Sequence, residues 1–330
     1  MEQIMFLPDI HLARYRFELD LLEPVHLPPF KGSALRGGFG HTLKRLTCYH
    51  SRGRCDECGM GNDCVYGYLF RTSPPDDSEV LSNLTEVARP FVIQPPLDPR
   101  ETFEPSDSLE FHVVLIGRGI AYLPYFVLVF QQLGDAGLGR TRGNFVLQQV
   151  TALGLGDDRP IFDAADGTLY DCDLSAGPAD LNALAATLPT DRLTVDFVTP
   201  TRLKHHGRWA HDGPPFHVLV RRLLDRVSSL SYFHCGQRWE IDFRGWIDRA
   251  EQVELVDAGT GWVDWSRYSG RQNQRVRMGG LVGPVTYAGD LAPFRPLLAL
   301  GELIHVGKGT VFGNGWIRVA APDAAPGGRV

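Results

Sequence analysis

Four cysteines, Cys48, Cys55, Cys58 and Cys64, follow the spacing C-x6-C-x2-C-x5-C. Four thiolates can close a tetrahedral structural zinc site. An iron–sulfur cluster uses the same ligands and is the second choice of metal. A filled four-thiolate shell keeps no open coordination position, so such a metal pins a loop and takes no part in catalysis. Four free, buried cysteines are the alternative. Just upstream, His41 and Lys44 stand three residues apart with Arg45 beside Lys44. On a helix that spacing puts the imidazole and the ammonium on one face, where both can meet one phosphate. The segment KHHGR offers Lys204, His205, His206 and Arg208 at a turn after a strand-like run. Histidine titrates near neutrality, so this segment can supply acid, base and cation together. A plain exposed hairpin tip is the alternative.

Near the C-terminus, HVGKGTVFGNGWI places His305 ahead of Gly307, Lys308, Gly309, Gly313 and Gly315. Glycines without side chains let backbone N–H groups approach phosphates, and Lys308 adds charge. No Gly-Lys-Ser/Thr follows a four-residue spacer, and the loop does not open a helix after a strand, so neither a P-loop nor a dinucleotide fingerprint fits. A tight turn without a ligand is the other reading. Arg267, Arg271, Arg275 and Arg277, with Tyr268, form a basic stretch suited to phosphate contact and base stacking. Arg221, Arg222 and Arg226 extend it along a helix.

These groups need elements to hold them. His11 to Asp20 alternates, with Ala13, Tyr15, Phe17 and Leu19 on one side, which predicts a half-buried strand. After Pro28-Pro29, Leu35, Phe39, Leu43 and Leu46 recur at helical spacing, predicting a helix that starts near a Ser33 cap and carries His41. Its glycines, Gly37, Gly38 and Gly40, imply close packing or close ligand approach. Residues 73–107 read as loops and irregular strands. A strand at 109–116, a helix at 121–133 and a strand after Gly137 follow. The second half repeats the plan: strand 193–198, helix 216–232, strands within 239–265 and 276–287, helix 293–300, then the glycine loop. Each half ends helix, glycine-rich basic loop, strand, a weak internal duplication.

A length of 330 residues suggests two domains, divided within the acidic, Ala/Gly-rich stretch around 154–188, as 1–155 and 156–330. The net charge is −6, but it is segregated: residues 11–54 hold eight Lys/Arg against three Asp/Glu, and residues 201–280 hold thirteen against nine. Screening confines exposed charge to about 8 Å at physiological salt, so a basic face can bind phosphate on an acidic protein. No apolar run spans a bilayer and no signal peptide is visible, so a cytoplasmic protein without membrane contact is expected.

The order of PPFKGSALRGGFG at 28–40, the cysteine cluster followed by Tyr68-Leu69-Phe70, FVTPTRLK at 197–204, RYSGRQ at 267–272, GGLVGPVTYAGDL at 279–291 and the final glycine loop resembles one family. It is that of the CRISPR precursor-RNA processing endoribonucleases, the sixth Cas family within the RAMP superfamily. The resemblance covers nearly the whole chain. It implies an α+β protein of tandem ferredoxin-like (RRM-like) domains with a C-terminal glycine-rich loop, the cysteine cluster being an insertion in the first. It implies cutting of CRISPR repeat RNA without a catalytic metal, and partners among other Cas effector subunits. In this family a histidine on the first helix often serves in catalysis, the place of His41, with His205 and His206 as runners-up. RNA contacts are expected at Lys31, Arg36, Arg45, Lys204, Arg208, the arginine stretch with Tyr268, His305, Lys308 and the loop glycines. A non-catalytic guide-RNA-binding RAMP subunit is the alternative.

Overall fold

The computed structural model describes residues 4–50, 55–74, 87–269 and 274–322. It is a mixed helix-and-sheet protein that divides into two compact units. The first comprises Ile10–Ala176 with Ser229–Gln237; the second comprises Met1–Asp9, Gly177–Ser228 and Arg238–Val330. The boundary falls between Ala176 and Gly177, not after residue 155, because the acidic stretch supplies a strand that pairs back into the first sheet.

In the first unit the labelled elements are β1 (Leu12–Leu21), α1 (Gly32–Thr47), α2 (Val65–Arg71), β2 (Phe91–Gln94), β3 (Ser108–Ile116), α3 (Leu123–Ala136), β4 (Phe145–Leu153) and β5 (Asp158–Asp163). The sheet order is β2-β3-β1-β4-β5, with every pair antiparallel. The alternation read for β1 holds: Ala13, Tyr15, Phe17 and Leu19 are buried, and the intervening residues are half-buried or exposed. Its apolar side meets α1 and α3 through an aromatic cluster. Phe39 of α1 stacks on Phe126 at 4.2 Å and on Phe130 at 5.8 Å, with Phe70 at 5.6 Å and Phe91 at 6.0 Å. The helix starts at Gly32 after Lys31, and no side chain caps it, so Ser33 does not take that role.

The second unit repeats the order. Its elements are α4 (Pro178–Ala186), β6 (Arg192–Thr201), α5 (Phe216–Cys235, whose last turns belong with the first unit), α6 (Phe243–Ala250), β7 (Glu254–Ala258), β8 (Gly280–Ala288), α7 (Arg295–Ile304) and β9 (Ile317–Ala320). The sheet order is β7-β8-β6-β9, again antiparallel. Gly301 of α7 lets Leu223 of α5 and Ile317 of β9 close in, so a Cβ there would stand 3.0 Å from Leu223 Cδ2. One expected strand region instead contains α6. The Asp242 carboxylate accepts the Gly245 N–H at 2.9 Å as an N-cap, and Trp246, Ile247 and Ala250 form one buried stripe, a 3.6-residue period read wrongly as strand.

The aromatic cluster predicts that Phe39→Ala destabilises the protein by about 3–5 kcal/mol, the usual range for emptying a fully buried aromatic site. The midpoint of urea unfolding measures it.

Candidate nucleic-acid interface

On α1, His41 and Arg45 are exposed and Lys44 is half-buried, so the three basic groups share the face turned from the aromatic core. Lys44 Nζ lies 5.9 Å from the Tyr66 ring and the Arg36 guanidinium 4.6 Å from the Phe70 ring, which keeps both cations close to α2. The helix glycines serve packing. A Cβ at Gly38 would stand 2.8 Å from Leu133 Cδ2 and one at Gly40 the same distance from Phe70 Cε1, while Gly37 is exposed.

Lys31 does not belong to that face. Its relative exposure is 0% and its ammonium donates to the carbonyl oxygens of Pro29 at 3.1 Å, Arg100 at 2.6 Å and Asp98. Burial pushes its pKa down, while Asp98 and Glu101 oppose the shift. The cation ties the entrance of α1 to the 98–100 segment and is withheld from solvent.

The four clustered cysteines are half-buried and unbridged. Cys48 Sγ donates to the His50 carbonyl at 3.3 Å, and Cys64 is the N-cap residue of α2. Among the described residues no group of three or more His, Cys, Asp or Glu side chains is arranged to hold a metal ion.

In the second unit the end of β6 is a meeting point. The Thr199 hydroxyl donates to the Gly313 carbonyl at 2.7 Å and accepts the Trp316 N–H at 2.9 Å. Gly315 N–H donates to Pro200 O, and Val306 N–H donates to Gly315 O. A Cβ on Gly315 would overlap the Val306 carbonyl oxygen, and one on Gly307 would stand 2.5 Å from Arg202 O. Gly307, Gly309, Gly313 and Gly315 all have φ near +80°. Close backbone approach therefore requires glycine at 307 and 315, and the positive φ favours it at 309 and 313. Gly313 and Gly315 are buried and their N–H groups are used internally, so neither presents an amide to a phosphate. The loop's exposed residue is Lys308, between half-buried Gly307 and Gly309.

His305 is also withdrawn. It is fully buried at φ +63°, its Nδ1 lies 3.1 Å from Asn314 O, and its ring stacks 5.8 Å from Trp316. It fixes the loop from inside and is withheld from solvent.

The arginine stretch forms a hairpin, Ser266–Ser269 with Gln274–Arg277, leading into β8. Arg267 lies 4.6 Å over the Phe312 ring, so the hairpin packs on the glycine loop. Arg275 and Arg277 are exposed. Arg271 lies outside the described residues, as does the side chain of Tyr268. Of the α5 arginines, Arg221 is exposed, Arg222 pairs with Asp225 at 2.9 Å, and Arg226 is buried with its Nε donating to Ile304 O at 2.8 Å. Arg226 therefore leaves the basic surface. Burial alone lowers its pKa to about 9.

The KHHGR segment is a two-stranded hairpin, Lys204–His205 with Arg208–Trp209. Lys204, His206 and Arg208 are exposed and His205 is half-buried. Three neighbours were not read from the sequence. Trp209 has Lys204 Nζ 5.4 Å and the Arg202 guanidinium 5.5 Å from its ring, and His217, in the first turn of α5, lies 5.5 Å from His205. The signal for Trp209 was its place directly after the KHHGR segment; nothing local pointed to His217. By contrast His112 on β3 is unsuited to proton transfer near neutrality. Burial, then Arg14 and Arg16, lower its pKa to about 3, outweighing Glu110 at 3.7 Å.

Two family models match the chain. One, described as an N-terminal domain (AF_1859_N), matches residues 7–174, just over half of the chain; the other, described as CRISPR-associated endoribonuclease Cas6, matches residues 195–317. An uncharacterized protein of Archaeoglobus fulgidus is 25% identical over 306 residues, which cover 89% of this chain and 93% of that protein. Among solved structures, Cas6 of Thermus thermophilus is similar at TM-score 0.51 and 14% identity over 94% of this chain and 98% of that one. A Cas6 product complex is similar at TM-score 0.53 and 16% identity over 93% and 99%. A chain of a partial Cas6-RT-Cas1–Cas2 complex is similar at TM-score 0.60 and 13% identity over 98% of this chain and 48% of that chain. The present chain thus spans about half the length of that match, and 30% of the corresponding chain in the Cas6-RT-Cas1–Cas2 complex. At such identities the solved structures speak for the fold.

The placement of Lys31 predicts that Lys31→Ala, which strands three carbonyls, costs about 2–4 kcal/mol of stability. Chemical unfolding measures the loss, and a wild-type midpoint would refute the tie.

Proposed function

We propose, on the Cas6 family model that matches residues 195–317, that the chain is a Cas6-type CRISPR processing protein, an endoribonuclease cutting CRISPR repeat precursor RNA into guide RNAs. The observation that carries the reading is the exposed face of α1, where His41, Lys44 and Arg45 stand together. We read both units as ferredoxin-like, on the shared β-α-β-β-α-β order and antiparallel sheets. RNA contacts on the second unit are assigned to Lys308, Arg267, Arg275, Arg277, Lys204 and Arg208. Arg36 and Arg45 serve on the first.

In the proposed reaction a base takes the proton of a ribose 2′-hydroxyl, and the freed oxygen attacks the adjacent phosphorus. The P–O5′ bond breaks, and the departing 5′-oxygen receives a proton. The products are a 2′,3′-cyclic phosphate and a 5′-hydroxyl, and no oxidant, reductant or water is consumed. His41 is assigned the proton transfer and Lys44 the charge building on the phosphorane oxygens. These side chains supply proton transfer and charge neutralisation themselves, so the reaction is proposed to need no divalent metal. A RAMP-type subunit that holds guide RNA without cutting is the competing reading. Other Cas effector subunits are proposed partners, and the cytoplasm the proposed compartment. No helix among the described residues is long and apolar enough to cross a membrane.

Incubation with repeat RNA in EDTA separates the readings: clean cleavage supports the enzyme, and binding without products supports the subunit. His41→Ala is expected to slow cutting about 10²-fold or more with RNA still bound, and an unchanged single-turnover rate would remove His41 from the mechanism.

The four-thiolate zinc site is proposed on spacing alone, from Cys48, Cys55, Cys58 and Cys64. Elemental analysis is expected to find about one zinc per chain, lost in Cys55→Ser. A brown, iron-containing preparation would replace zinc by an iron–sulfur cluster.

A further inference from the structure

The hairpin at 204–209 has two faces of different chemistry. Lys204 pairs across it with Trp209, and His205 with Arg208. Adjacent strand residues point to opposite sides, so Lys204 and Trp209, joined by Arg202, form a cation–aromatic face while His205 turns the other way. There its ring lies 4.0 Å from that of His206 and 5.5 Å from that of His217. The turn that sets this up has positive φ at both central residues, +47° at His206 and +78° at Gly207. Asn or Asp usually fills the first of these positions, so a histidine there accepts some strain.

Arg221 of α5 and Glu251, which follows α6, act on His217, while Lys204 stands on the opposite face of the hairpin. Arg222 is engaged by Asp225 at 2.9 Å and by the Lys204 carbonyl at 3.3 Å. Glu251 favours the charged form of His217, while Arg221 and His206 oppose it. Three imidazoles this close resist simultaneous protonation unless an anion joins them. His205 is accordingly held below the usual histidine range by burial first, then by His206 and His217. His217 is lowered as well, burial being the largest cause.

We propose that His205, His206 and His217 form a proton-linked site for a phosphate oxyanion of the RNA backbone, taking up protons when the phosphodiester enters. This rests on the RNA-binding reading above and adds to it a third histidine and a thermodynamic coupling. The sign follows from linkage: the bound state has the higher pKa, so affinity rises as pH falls toward and below neutrality.

The test is calorimetric titration of the full chain with 2′-O-methyl repeat RNA, which cannot undergo 2′-hydroxyl attack. Paired phosphate-free buffers of different ionisation enthalpy are used, with dissociation constants measured from pH 8 to pH 6. Uptake of about one proton per complex is expected, with affinity rising by up to about tenfold per pH unit for each proton taken up. His205→Asn and His217→Gln, each checked for a wild-type unfolding midpoint, are expected to remove most of the uptake and flatten the pH profile. RNA binding with the same uptake in both variants would overturn the inference and leave the RNA-binding reading standing. Absence of RNA binding at every pH would overturn both. Uptake with inorganic phosphate alone and none with RNA would assign the site to free phosphate and also overturn the inference.

Discussion

The second unit is organised by one side-chain hydroxyl at the end of its central strand. Thr199 Oγ1 bridges the glycine loop twice, donating to Gly313 and accepting from Trp316. It is 1% exposed, so neither bond competes with water. The bridge fixes where the loop returns and lets β9 enter beside β6, the pairing that closes the sheet. Asn314 carries the same restraint onward by donating to Met278 O at 3.2 Å, directly before β8. Loop and arginine hairpin thus share one anchor.

That anchor changes the meaning of the glycines. A basic, glycine-rich loop suggests amides offered to phosphate. Here Gly315 faces a carbonyl so closely that no Cβ fits, and buried His305 supports the turn from beneath. The glycines let two backbones cross, and the exposed charge is delegated to Lys308 at the tip and to arginines packed alongside. Close packing and anion binding ask the same thing of a sequence, namely missing side chains. Only the neighbours distinguish them.

The basic residues divide in the same way. Lys31 and Arg226 are internal ties, each donating to backbone carbonyls. His41, Arg45, Lys204, Arg208, Arg275, Arg277 and Lys308 are exposed. An acidic total of −6 is compatible with this set because the acidic side chains concentrate elsewhere along the chain.

Much of the architecture was legible in the chain itself. The alternation in β1, the helical spacing of Leu35, Phe39 and Leu43, and the repeated helix–loop–strand ending follow from local periodicity, and local periodicity survives folding wherever one face is buried. The position of His41 on an outward face was readable for the same reason. Tertiary structure decided the rest. It set α6 where strand was expected and moved the unit boundary past β5. It buried Lys31, His305 and Arg226, and it brought His217 to His205. Burial and proximity depend on which segments become neighbours, and residues far apart in sequence carry no periodic trace of one another.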